Sequence, residues 1–71
     1  MKFQAGDVLQ HLKTQRFYTI LLASDVCRLE ASAEPAYAYR LKDFDPANDA
    51  TVWVRAAAEM EDGRFVLCEP A

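Results

Sequence analysis

Cysteine is scarce in this chain, and what there is does not stand at framework or metal spacing. Cys27 and Cys68 are the only two in 71 residues. Two cysteines cannot build a multi-disulfide scaffold, and no C-x-x-C pair is present to hold zinc. Histidine is scarcer still, with His11 alone. A catalytic triad needs a base set between a nucleophile and an orienting carboxylate, and neither Ser24 nor Ser32 stands in a G-x-S-x-G elbow. A reactive thiol needs a positive setting that lowers its pKa; Cys27 has only Arg28 beside it, and Cys68 is followed by Glu69. The chain is therefore expected not to be an enzyme, and no cofactor or metal is implied.

Long apolar runs are also missing. The stretch around Thr19–Ala23 is far too short to span a bilayer, and residues 1–7 do not carry a basic region followed by an apolar one. The expected setting is cytoplasmic, with no membrane partner and with both cysteines as reduced thiols buried as small hydrophobes. A basic excess is absent too. Eight Lys and Arg against eleven Asp and Glu leave a net charge of −3, which argues against sequence-independent nucleic-acid binding.

What is present is the material of one small folded domain, residues 1–71. Hydrophobic residues make up 52% of the chain, well above the range of disordered sequences. A chain of this length buries only about 60% of the surface its unfolded form exposes, so a thin core is expected.

The patterning is that of short strands. Residues 7–13 and 16–23 read as an antiparallel pair, the second rich in β-branched and aromatic side chains (Phe17, Tyr18, Thr19, Ile20). Residues 25–30 are read as a possible extension of the second strand. Pro35 biases Glu34 away from helix, so 31–35 reads as a loop. Residues 36–41 alternate alanine with tyrosine at period two, placing Tyr37, Tyr39 and Leu41 on one face and Ala38 and Arg40 on the other. Residues 42–49 are dense in turn formers. Their Asp43, Asp45 and Asp49 fail the calcium-loop pattern, because Asn48 and Val54 stand where glycine and glutamate are needed. Residues 51–55 form a fourth strand and 56–60 a single helical turn. Asp62-Gly63 supplies a tight turn into a closing strand, 64–68. The expected fold class is all-β, a small five-stranded SH3-like barrel with one short helical turn before the last strand.

One constellation is worth a functional reading. Tyr39-Arg40 and Trp53-Val54-Arg55 lie on strands expected to be neighbours, and an arginine fork beside a flat aromatic is a common way to hold a carboxylate, a phosphate or a base. The competing reading has the arginines in local ion pairs and Trp53 covering the core.

These elements carry a resemblance. His11-Leu12-Lys13, Tyr18-Thr19-Ile20-Leu21, Tyr39-Arg40, Trp53-Val54-Arg55, Met60 and Arg64-Phe65 occur in an order that resembles a family of small bacterial and phage proteins, a domain of unknown function with an SH3-like barrel. The resemblance spans nearly the whole chain. It differs at Ala56, where the family pattern has proline, and in the longer connection 24–35. It implies the fold rather than an activity.

The expected function is a small non-catalytic binding module for a protein or peptide partner, using Tyr39, Arg40, Trp53, Arg55, His11 and Lys13. The alternative is a nucleic-acid, nucleotide or small-anion binder using Arg40, Arg55 and Trp53. Self-association as a homodimer is compatible with either.

Overall fold

The computed structural model describes residues 2–43, 47 and 51–71. The described residues are mostly β. In chain order the elements are β1 (Val8–His11), β2 (Phe17–Leu22), β3 (Ala36–Leu41), β4 (Trp53–Ala56), α1 (Ala57–Met60) and β5 (Phe65–Glu69). All five strands belong to one antiparallel sheet in the order β4-β3-β2-β1-β5, with the single helical turn before the last strand. The third strand has the expected bounds; the others shift by one or two residues. Asp45 and Asp49 of the acidic loop lie outside the described residues. No helix of the described residues is long and apolar enough to cross a membrane.

Period-two alternation sorts the side chains. Leu9, Ile20, Tyr37, Tyr39 and Phe65 come from four strands into one core, joined by Phe3, Ala23 and Met60. Met60 is the reason for the helical turn: four residues of helix swing this fully buried side chain over the sheet before Gly63, at φ 106°, turns the chain into β5.

The Ala/Tyr alternation of β3 has a second consequence. Ala36 and Ala38, on the face opposite the tyrosines, are buried too, packed with Cys27, Leu21 and Leu29. Residues 24–35 do not extend β2. They form a lobe, tied by the bridge Arg28↔Pro35 and by Ala36 N–H donating to the Cys27 carbonyl at 2.9 Å, which covers that face. Alanine is what allows the cover, because a larger side chain would hold the lobe off the sheet. β3 is thus buried on both sides.

The cysteines part company. Cys27 is buried under the lobe as expected. Cys68 is exposed on β5, against expectation, because β5 is an edge strand with little packed on its outer side; both thiols are free.

Asp7 is the one buried charged residue among those described. Its carboxylate accepts from Gln4 N–H and Ala71 N–H, both at 2.8 Å, clasping the start of β1 to the segment after β5.

Candidate functional site

The β3–β4 register pairs Tyr39 with Trp53 and Tyr37 with Arg55. Directly opposed residues share a face, so Trp53 and Arg55 stand on the same side as the tyrosine core. β1 and β5 pair His11 with Phe65, and β1 and β2 pair Leu9 with Tyr18. These ladders bring residues distant in sequence to one end of the sheet. There His11, Thr14, Tyr18, Tyr39, Trp53, Arg55 and Phe65 line an open hollow of about 240 Å³. A second hollow of about 550 Å³ shares His11 and Arg55 with it and is otherwise lined by Leu12, Lys13 and Arg64. The two form one mouth.

Its floor is aromatic. Tyr18, Tyr39 and Phe65 meet edge to face, with centroids 5.3 Å apart for Tyr18–Tyr39, 5.8 Å for Tyr39–Phe65 and 6.1 Å for Tyr18–Phe65. His11 stands edge-on to Phe65 at 4.7 Å. This is the arrangement that ring quadrupoles favour. The His11 ring is held further by Thr14, whose N–H donates to Nδ1 at 3.3 Å.

The rim is cationic. The Arg55 guanidinium lies 5.8 Å over the Phe65 ring, a cation–π distance. Arg64 is held by Asp62 at 3.0 Å and Glu59 at 3.9 Å. Among the described residues no carboxylate forms an ion pair with Arg55 or Lys13.

Four of the six residues singled out from the sequence, Tyr39, Trp53, Arg55 and His11, line the same hollow, and Lys13 lines its neighbour. Arg40 is not among them. It pairs with Thr19 on β2 and is one step out of phase with Tyr39, so its side chain leaves from the opposite face of the sheet. Trp53 also departs from one expectation. It is 51% exposed and does not cover the core: it stands opposite the buried Tyr39, but on the outer strand β4.

Compared with family models, curated proteins and solved structures, the chain finds no match in any of them. The function must therefore be argued from the mouth itself.

Tyr18, Phe65, Thr14 and Arg64 were not foreseen in the site. Tyr18 was legible in part, since it alternates in phase with the core residue Ile20. Phe65 depends on the long-range β1–β5 pairing, which nothing local in the sequence announces. Elsewhere on the surface, a hollow between Val8, Phe17 and Cys68 carries the Lys42–Glu69 pair, 3.0 Å apart. That hydrogen bond and charge raise the Lys42 pKa. The hollow has no comparable convergence of rings and cations. Among the described residues no group of three or more His, Cys, Asp or Glu side chains is placed to hold a metal ion.

Proposed function

We propose that the chain is a non-catalytic binding module that takes a protein or peptide partner at the mouth formed by His11, Tyr18, Tyr39, Trp53, Arg55 and Phe65. The observation that carries this reading is Arg55 laid on Phe65 without a carboxylate partner among the described residues, beside a half-exposed Trp53. An apolar or aromatic side chain from a partner fits the ring floor, and an acidic neighbour fits Arg55 and Lys13 on the rim. On a chain of net charge −3, this cationic rim gives an acidic segment a local destination.

The fold reading goes with it. A strand order in which β1 joins both β2 and β5, with a helical turn between β4 and β5, suits an SH3-like barrel. We place the chain in the bacterial and phage family that its motifs resemble, and in the cytoplasm.

A second reading has one observation in its favour. An arginine on an aromatic ring beside an exposed tryptophan also suits a nucleotide or single-stranded nucleic acid, whose base would stack on Trp53 and whose phosphate would meet Arg55.

Titration of Trp53 fluorescence separates the two. A panel of acidic, aromatic-containing peptides is expected to shift the emission, with Arg55→Ala and Lys13→Ala weakening the response. A shift given instead by nucleotides or oligonucleotides, falling steeply with salt, overturns the peptide reading.

A further inference from the structure

β4 is an outer strand of the sheet, and its exposed residues are apolar. Trp53 and Val54 of β4 are 51% and 52% exposed, and Val52 just before it is 53% exposed. Edge strands are ordinarily blunted by lysine, proline, a bulge or an inward charge, because their unpaired N–H and C=O groups otherwise recruit another strand. The opposite edge has such devices: the β1–β5 ladder is irregular at Val8/Leu9, and β5 runs into Glu69-Pro70. Among the described residues β4 carries one such device, the inward-facing Arg55, and none over Trp53–Val54.

The ladder shows which backbone groups of β4 are free. Ala57 N–H donates to the Pro35 carbonyl at 2.8 Å, continuing the β3–β4 register by one step beyond Ala36↔Ala56. Hydrogen-bonded and non-bonded pairs alternate along an antiparallel ladder. The bonded pairs are therefore Tyr37–Arg55 and Tyr39–Trp53. The N–H and C=O of Val54 point away from β3, as does the N–H of Ala56.

We propose that this edge pairs with β4 of a second copy of the chain, antiparallel, about a two-fold axis through Val54. The free groups restrict the register to outward residues facing outward residues, and the side chains choose among those. Each Val54 donates to and accepts from the partner's Val54; an axis one residue earlier or later would instead set Trp53 against Trp53 or Arg55 against Arg55. The same register sets Trp53 directly opposite the partner's Arg55, and Arg55 opposite the partner's Trp53, on one face of the joined sheet. Both juxtapositions pair a guanidinium with an indole, the strongest aromatic partner for a cation, and neither opposes like charges. A planar guanidinium has two faces. One lies over Phe65, and the other meets the partner's Trp53. The two apolar Val54 side chains meet on the opposite face. The dimer is isologous, so it closes and does not propagate. It also adds the partner's Trp53 to the rim of each mouth.

Sedimentation at increasing concentration tests this, together with hydrogen exchange at Val54. The wild-type chain is expected to move to twice its monomer mass, and the Val54 amide to exchange more slowly as the dimer forms. Val54→Lys puts like charges on the axis at an exposed position and is expected to hold the chain monomeric with its melting temperature at low concentration unchanged. Ala56→Pro is a second, milder probe. Ala56 has φ −55°, which proline adopts, and loses only the outward N–H, so dimerisation weakens while the fold stays. Val54→Cys in a Cys68→Ser background is expected to oxidise to a covalent dimer, since bonded antiparallel pairs have Cα atoms about 5.5 Å apart, inside the disulfide range. A wild-type chain that stays monomeric at millimolar concentration overturns the proposal. So does a dimer indifferent to Val54→Lys, or a monomer that takes extended peptides of other sequence on this edge.

Discussion

The Tyr37 hydroxyl donates a hydrogen bond to the Glu61 carboxylate. The same oxygen accepts the N–H groups of Lys2 and Phe3, each at 3.2 Å, and Glu61 also accepts from Lys2 N–H at 3.3 Å. One fully buried tyrosine on β3 thereby joins the first described residues to the turn after α1. Phe3, which packs edge-on to the Tyr37 ring at 5.7 Å, is held in the core by it.

Tyr37→Phe keeps the ring and removes the hub. The buried Phe3 N–H then loses its acceptor and Glu61 loses its donor. An unsatisfied buried polar group costs about 1–3 kcal/mol, and the loss is expected in that range by urea denaturation. A change under about 0.5 kcal/mol would mean that water replaces the hydroxyl.

Stability should also depend on pH through Glu61. The Tyr37 hydrogen bond lowers its pKa from the ordinary 4.5, burial opposing and the Lys2 N–H assisting. A carboxyl whose folded pKa is depressed contributes stability above its unfolded pKa and loses it as pH falls through the folded value. Wild type is therefore expected to lose melting temperature below about pH 4.5 more steeply than Glu61→Gln, which lacks the titrating group. Parallel curves for the two proteins would contradict this.

Trp53 and Phe65 border the same hollow yet should respond oppositely to truncation. Phe65 is 2% exposed and touches His11, Tyr18 and Tyr39, so Phe65→Ala is expected to cost about 3–5 kcal/mol. Trp53, half exposed, should cost under about 0.5 kcal/mol on truncation to alanine in the monomer, while the fluorescence-silent variant loses partner affinity by calorimetry. A large loss of stability in Trp53→Ala would return Trp53 to the core.

The lobe over β3 carries a strained residue. Ala33 is exposed with φ 59°, the left-handed region that costs a non-glycine residue about 1–2 kcal/mol. Its N–H donates to Leu29 and its carbonyl accepts from Arg28, both backbone groups that glycine retains. Ala33→Gly is expected to stabilise by up to about 1 kcal/mol, the released strain exceeding the added unfolded-state entropy. A fall in the denaturation midpoint would refute the strain argument.

Sequence alone determined whatever depends on neighbours along the chain. Alternation at period two marked the strands, and the tyrosines of β3 fell on one face because successive side chains point oppositely. Asp62-Gly63 marked the last turn because a positive φ suits glycine. Proline after Glu34 marked the end of a loop. Tyr39, Trp53, Arg55 and His11 were legible as a group because aromatic and cationic residues recur at strand ends. Only the tertiary structure decided which sides meet. Alternation already set Arg40 on the face away from Tyr39; the β3–β4 register is what placed Trp53 and Arg55 on the tyrosine side, and a slip of one residue, which no local preference forbids, would have sent them to the other. The β1–β5 pairing set Phe65 beside His11, from the far end of the chain, and under the Arg55 guanidinium. The exposure of Trp53 and Cys68 was decided in the same way, because burial depends on what the other strands and the lobe cover, and these two residues stand on the two outer strands of the sheet.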